Sequence, residues 1–187
     1  MKKTIALFCG SFSPFHIGHL DITKQAEKLF GKGNVIICFG VNPDKINSLD
    51  KDKYIVELNE KCKTLSDKIK RPVEYYAGFL HDFISMKEKE GYNVVLIRGL
   101  RNREDLAYEE IQFKFMMDFK ENLKIQSNKI FGLIISNIFL LKIFRFFNPK
   151  NNVVFLKCDK SLDHISSSAI RKIEQFGGKD LVKKYLV

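Results

Sequence analysis

The segment at residues 9–20 constrains the fold of this chain more than any other. It reads Cys-Gly-Ser-Phe-Ser-Pro-Phe-His-Ile-Gly-His-Leu and follows an apolar run at residues 5–8. The apolar run predicts a short buried strand, the Gly-Ser-Phe-Ser-Pro stretch predicts a turn, and an amphipathic helix follows from near His16. A strand that leads through a glycine turn into a helix exposes unpaired amides at the positive end of the helix dipole. Such an arrangement is typical of a phosphate site.

Two of the four histidines of the chain fall inside this segment. His16 and His19 are three residues apart, so that one helical face can direct both imidazoles at the same anion. Gly10 and Gly18 lack Cβ atoms and permit close approach of backbone or ligand. A His-x-x-His pair alone is more often an ordinary surface pair. The phosphate interpretation therefore depends on support from other segments.

Five apolar segments alternate with helical patterns along the chain. The predicted strands cover residues 5–8, 34–40, 73–77, 93–97 and 153–157, and the predicted helices cover residues 16–30, 50–69, 78–90 and 104–123, with a final helical pair from residue 168. This alternation predicts an α/β fold, a Rossmann-like doubly wound five-stranded parallel sheet with flanking helices. At 187 residues, a single domain over residues 1–187 is expected. Ligands of such sheets bind beyond the carboxyl ends of the strands.

The composition narrows the class of protein. A formal net charge of +10 fits an acidic partner such as a nucleotide, a nucleic acid or an anionic membrane. The four cysteines show neither metal-ligand spacing nor a disulfide framework, which predicts a reduced, cytoplasmic location. The first nine residues imitate a secretion signal, but their apolar part is shorter than the roughly 7–15 residues of a signal core. We therefore interpret them as the first strand.

One segment fits the pattern poorly. Residues 130–147 are densely apolar, within an apparent insertion at about residues 124–147. They approach the roughly 20 residues of a membrane span, but Lys142 and Arg145 interrupt them. Three interpretations remain: a buried or oligomer-interface helix, which we favour, an interfacial membrane helix, or an insertion without a role in the chemistry.

Further phosphate-compatible groups follow other predicted strands. Arg98 and Arg101, with Gly99 between them, follow the fourth strand and suit bidentate recognition of phosphate. Residues 166–168 are serines at a predicted helix start, where hydroxyls and free amides form a second anion site. Lys45 adds a cation in the loop after the second strand. Each group alone has an ordinary surface explanation, but together at one sheet edge they predict a polyphosphate site.

These motifs resemble those of a known superfamily. Gly-Ser-Phe-Ser-Pro-Phe-His-Ile-Gly-His together with Ile-Ser-Ser-Ser-x-Ile-Arg resembles the nucleotidyltransferases. Residues 97–109, Ile-Arg-Gly-Leu-Arg-Asn-x-x-Asp-Leu-x-Tyr-Glu, narrow the resemblance to the phosphopantetheine adenylyltransferases. Residues 78–83, Gly-Phe-Leu-His-Asp-Phe, are similar to another segment of that family. The resemblance covers nearly the whole chain except residues 124–147.

The resemblance implies a reaction and a set of residues. AMP would pass from ATP to 4′-phosphopantetheine, giving dephospho-coenzyme A and pyrophosphate, with Mg²⁺ carried by the ATP phosphates and no metal ligands from the protein. A homo-oligomer, by resemblance a hexamer, is implied, without nucleic acid or membrane partners. The implied catalytic residues are His19, which would stabilise the transition state, and His16, Lys45 and Arg98. The implied ATP-binding residues are Ser11, Phe12, His19, Gly99, Leu100, Arg101, Glu109, Leu162, Asp163, His164, Ile165, Ser166, Ser167 and Ser168. The implied phosphopantetheine-binding residues are Ser11, Lys45, Leu80 and Arg98.

Three positions depart from the family pattern. Ser13 stands where the family usually has Asp, Cys9 where it commonly has Pro, and His16 where Thr is frequent. Histidine at that last position is more typical of nicotinate mononucleotide adenylyltransferases and cytidylyltransferases. The alternative function is therefore nicotinate mononucleotide adenylylation or another small-molecule nucleotidyl transfer. An alternative of another class is a basic, catalytically degenerate protein that associates with membrane or nucleic acid.

Overall fold

The computed structural model describes residues 2–41, 51–78, 80–101 and 152–187. Within these ranges all strand pairs are parallel, and the strands form one five-stranded sheet in the order β3-β2-β1-β4-β5. The strands are β1 (Thr4–Gly10), β2 (Val35–Val41), β3 (Val73–Ala77), β4 (Asn93–Leu100) and β5 (Asn152–Lys157). The predicted α/β, Rossmann-like doubly wound sheet is confirmed. The segment at residues 9–20, called the phosphate segment below, follows from the central strand, β1.

Helices connect and flank the strands. They are α1 (Ile17–Phe30), α2 (Lys51–Ile69), α3 (Leu80–Lys89), α4 (Ser167–Gln175) and α5 (Lys179–Val182), with 3₁₀ turns at Lys32–Asn34, Lys160–Leu162 and Lys183–Tyr185. None of the helices in the described part of the chain is both long and apolar enough to cross a membrane. The predicted helix at 104–123 and the apolar segment at 130–147 lie outside the described residues. The single domain over residues 1–187 stays a prediction.

The central strand β1 is apolar on both faces because helices cover both sides of the sheet. Along β1, Ala6 and Phe8 join a core cluster with α1 and α2, whereas the alternate residues Ile5 and Leu7 join a cluster with α3. Strands buried in this way read as continuous apolar runs. The pattern at residues 5–8 therefore gave a sound prediction of a buried strand.

The boundary of β4 differs from the prediction in a way that matters for the site. The apolar run ends at Ile97, and Arg98 was expected to follow the strand, but β4 continues to Leu100. The extension pairs with β5, where Arg98 faces Phe155 and Gly99 faces Leu156 in the ladder. The backbone of the first arginine is therefore fixed by a sheet. Only Arg101 follows the strand.

The C-terminal segment packs beside the start of α1. Ile165, Ile170 and Val182 form a third buried cluster, against which Leu186 packs. Leu186 also forms an isolated antiparallel bridge with His16. The end of the chain thereby covers the point at which the phosphate segment becomes helical.

Candidate active site

A cavity of about 510 Å³ opens at the carboxyl ends of β1 and β4. Its lining comes from the turn after β1, the first turn of α1, the end of β4 and the start of α4. These segments are far apart in the sequence. The structure therefore brings to one edge of the sheet those predicted phosphate-compatible groups that it describes, which leaves out Lys45.

Most of the predicted site residues that the structure describes line this cavity. They are Ser11, Phe12, His16, His19, Arg98, Gly99, Leu100, Arg101, Leu162, Ile165, Ser166, Ser167 and Ser168. Asp163, His164 and Leu80 are not part of the lining, and Leu80, 2% exposed, is buried with α3 on the other face of the sheet. Lys45 and Glu109 lie outside the described residues.

His16 is the N-cap of α1 and not a residue of its first turn. Its Nδ1 accepts a hydrogen bond from the Gly18 amide at 3.2 Å, and its own amide donates to Nδ1 of His19 at 3.3 Å. Because both Nδ1 atoms accept, each neutral ring carries its proton on Nε2. The rings stack with centroids 3.7 Å apart. This reciprocal capping box holds two Nε2–H donors side by side.

Burial keeps both imidazoles neutral at pH 7. It lowers the pKa of His19 to about 3, with further lowering by the neighbouring His16 and Arg101. Burial, followed by the charge of Arg101, lowers the pKa of His16 to about 4. Neutral Nε2–H groups in a desolvated site suit hydrogen bonding to developing charge on a phosphoryl oxygen.

Aromatic rings pack against His19. The Phe12 ring meets the His19 ring edge-on with centroids 4.9 Å apart, and Phe15 lies 5.3 Å from it. Phe12 adopts a φ of +40°, which is uncommon for a residue with a side chain. A Cβ on Gly10 would come within 2.9 Å of the Phe12 ring, so that any larger residue would force the ring to shift. Sequence reasoning linked Phe12 to ATP and missed this packing role.

Two of the three serines at the start of α4, Ser166 and Ser167, bind backbone groups with their side chains. The Ser166 hydroxyl caps the helix by accepting from the Ala169 amide at 3.1 Å, and the Ser167 hydroxyl donates to the Pro14 carbonyl at 3.0 Å. The main anion-binding feature of the motif is therefore the N-terminus of α4, whose free amides and dipole attract anions. The helix starts at Ser167, one residue before the prediction.

One contact joining α1 to the loop after β5 was not anticipated. The Asp21 carboxylate accepts from the Asp159 amide at 3.0 Å and from Gln25 at 2.9 Å. Cys158, whose amide donates to the Leu100 carbonyl at 2.9 Å, lines the cavity from that loop. Sequence patterns carry no signal for such long-range contacts.

The donor set suits phosphate more than a protein-bound metal. Arginine side chains, imidazole N–H groups and a helix N-terminus converge there. Among the residues that the structure describes, no group of three or more His, Cys, Asp or Glu side chains is placed to hold a metal ion. The arrangement can bind a polyphosphate and stabilise negative charge on it.

Comparison with known proteins matches most of this chain to one family model and to curated relatives. The cytidylyltransferase-like family model matches residues 7–173. A phosphopantetheine adenylyltransferase from Clostridium botulinum (strain Langeland / NCTC 10281 / Type F) is 30% identical over 184 residues, covering 97% of this chain and 90% of the relative. One from Clostridium novyi (strain NT) is 33% identical over 174 residues, covering 93% and 85%. The crystal structure of a candidate nicotinate-nucleotide adenylyltransferase from Vibrio parahaemolyticus is 15% identical, covering 99% of this chain and 87% of that one with a TM-score of 0.49.

Proposed function

The chain belongs to the cytidylyltransferase-like family and to its phosphopantetheine adenylyltransferases, and on that premise we propose that it transfers AMP from ATP to 4′-phosphopantetheine, releasing pyrophosphate. The observation that carries the proposal is that the two histidines, Arg101 and the start of α4 line the same cavity. This cavity has the donors that a triphosphate requires.

The attacking group needs little activation. A phosphate monoester is already a competent nucleophile, so that the protein has only to align it with the α-phosphorus and neutralise charge. In this proposal His19 performs the second task, because its Nδ1 accepts from the His16 amide and its proton is therefore on Nε2. Its hydrogen bond strengthens as charge grows on the α-phosphoryl oxygens. Neither a protein base nor a covalent intermediate is required.

The triphosphate lies towards α4 in this proposal. The helix N-terminus at residues 166–168 and the guanidinium of Arg101 would bind the β- and γ-phosphates, which leave as pyrophosphate. Leu162 and Ile165 line the same side, where they would contact the nucleoside. Mg²⁺ enters with the ATP phosphates as part of the substrate. The ATP contacts proposed for Asp163, His164 and Glu109 stay predictions.

The acceptor phosphate lies towards β1 and β4. Arg98 is held there by the ladder and by donation from its Nη1 to the Cys9 carbonyl at 3.4 Å. Ser11, at the exposed rim, would contact both substrates. Two further roles stay predictions: Lys45 would bind the acceptor phosphate, and Leu80 would contact the pantetheine arm.

A parallel assay with two acceptors tests the proposal. The protein is incubated with MgATP and either 4′-phosphopantetheine or nicotinate mononucleotide, and pyrophosphate release is followed. Release with phosphopantetheine alone is expected. Release with nicotinate mononucleotide alone would establish the alternative reaction, which His16 in place of the usual Thr favours. No release with either, together with liposome or polynucleotide binding that weakens steeply with salt, would establish the degenerate class.

Assembly and location follow from the same proposal. A homo-oligomer, by family resemblance a hexamer, is expected, and light scattering of the purified chain measures it directly. All four cysteines are free, which fits the proposed cytoplasmic location.

A further inference from the structure

Arg171 belongs to the Ile-Ser-Ser-Ser-x-Ile-Arg motif, yet the proposed reaction gives it no task. It lies one turn into α4 and is not part of the cavity lining. Its Nη1 donates to the carbonyl of Ser13, and its Nη2 donates to the Ser168 hydroxyl at 3.1 Å. One guanidinium thus joins the turn after β1 to the first turn of α4.

A second side chain of α4 makes a parallel contact. The Ser167 hydroxyl donates to the carbonyl of Pro14, the next residue along the same turn. Two consecutive carbonyls therefore accept hydrogen bonds from one helix, across sequence separations of 158 and 153 residues. Both contacts use the main chain of the turn. Neither contact involves the side chain of Ser13, where the family usually has Asp.

The turn that these contacts hold carries groups of the site. We call residues 10–15 the phosphate loop: Ser11 and Phe12 line the cavity, and the Phe12 ring supports His19. A shift of the loop would move that ring and change the distance between the loop and the helix N-terminus. Misplacement by about 1 Å can reduce a rate about 100-fold, even when it originates away from the reacting atoms.

We propose that Arg171 is a positioning residue that, together with Ser167, fastens the phosphate loop to α4 and so sets the two sides of the triphosphate site relative to each other. The inference rests on the proposed function for its kinetic consequence, but not for the contact itself. Arg171 acts through the loop, because its contacts are with loop carbonyl and helix hydroxyl and it lies outside the cavity lining.

Kinetics of three variants test the consequence. Arg171→Gln should lower kcat by about 10- to 100-fold while KM for ATP changes less than about threefold. Arg171→Lys should restore only part of the rate, because a single ammonium cannot reproduce the planar fork that reaches two acceptors. The control is Lys172→Ala, which removes a positive charge from the adjacent exposed residue and should leave both constants unchanged.

Hydrogen exchange of the substrate-free protein tests the contact independently of any reaction. Arg171→Gln and Ser167→Ala should each speed exchange of the phosphate-loop amides severalfold, while the amides of β4 keep their protection. Lys172→Ala should change neither. If the proposed reaction is wrong but Arg171 does hold the phosphate loop, amide exchange in the loop still becomes faster, and only the kinetic effect is missing.

Two outcomes would overturn the inference. A rise of more than about tenfold in KM for ATP with unchanged kcat in Arg171→Gln would make Arg171 a direct ligand of the nucleotide. Unchanged loop exchange in both Arg171→Gln and Ser167→Ala would show that the contacts do not hold the loop. Ser167→Ala removes one hydroxyl only, so that the exchange test stands even if the arginine variants fold poorly.

Discussion

The amide of His16 donates to Nδ1 of His19 while the amide of Gly18 donates to Nδ1 of His16. These two bonds determine the tautomer of both rings, and burial keeps the rings neutral. The His-x-x-His spacing predicted that both imidazoles reach one anion. It could not predict that His16 lies outside the helix as its cap, since capping depends on backbone geometry that the spacing does not encode.

Replacing His19 by alanine tests its proposed role. His19→Ala should lower kcat by about two to three orders of magnitude, with little change in ATP binding, because the lost bond forms fully only in the transition state. Steady-state kinetics and ATP titration measure the two effects. His81→Ala, on α3 and outside the cavity lining, is the control. Equal losses of binding and turnover would remove His19 from this role.

The depressed histidine pKa values predict acid sensitivity. The pKa of His16 falls from its ordinary 6.5 to about 4 on folding, so that the unfolded chain binds more protons between these values. The contribution of each neutral, buried histidine to the free energy of unfolding is therefore fully present above about pH 6.5. It is lost as the pH falls towards 4, by up to about 1.4 kcal/mol per pH unit for each such histidine.

The variant His16→Thr should lose less stability than the parent between pH 7 and pH 5. Threonine keeps an N-cap acceptor but does not titrate, which isolates the contribution of the imidazole. Urea unfolding at the two pH values measures the difference. An identical pH dependence in both proteins would contradict the assignment of a buried neutral His16.

At the scale of elements, the strand–turn–helix unit was predictable and its boundaries were not. The apolar run at residues 5–8 and the turn residues after it mark the unit in the sequence. The end of β4 was missed because Arg98 and Gly99 pair with β5, and such pairing between segments distant in the chain leaves no local pattern. The same holds for the packing of Phe12 over Gly10.

A pair of glycine variants tests this packing. In Gly10→Ala the new Cβ would come within 2.9 Å of the Phe12 ring, which packs against His19 and must shift. We expect a loss of about 1–3 kcal/mol in the free energy of unfolding, together with a reduced kcat. Gly33→Ala is the control, because nothing lies within 4 Å of its added Cβ. Equal behaviour of the two variants in thermal melts and assays would show that Gly10 is not constrained.

At the scale of the whole molecule, the strand order explains why distant motifs meet. β1 lies in the middle of the sheet beside β4, and β4 lies beside β5, so that the segments following these strands share one edge. Alternating strands and helices sufficed to predict this convergence. The sequence did not reveal the hydrogen bonds that join the segments at this edge, because each links residues more than 130 positions apart. These bonds are Asp21 with Asp159 and Arg171 with Ser13.

Ligand-induced stabilisation of the folded protein tests the convergence as a whole. MgATP at about 100 times its Kd should stabilise the fold by about 2.7 kcal/mol, visible as a raised melting temperature. Arg101→Ala should reduce this shift at the same MgATP concentration, whereas Lys172→Ala should retain it. An unchanged shift in Arg101→Ala would place the nucleotide away from the end of β4.

The convergence on one triphosphate can be observed in a crystal structure of the protein with α,β-methylene-ATP. We expect one triphosphate contacted together by Nε2 of His19, the guanidinium of Arg101 and the amides at the start of α4. A triphosphate bound by only one of these groups, or bound elsewhere on the molecule, would contradict this expectation.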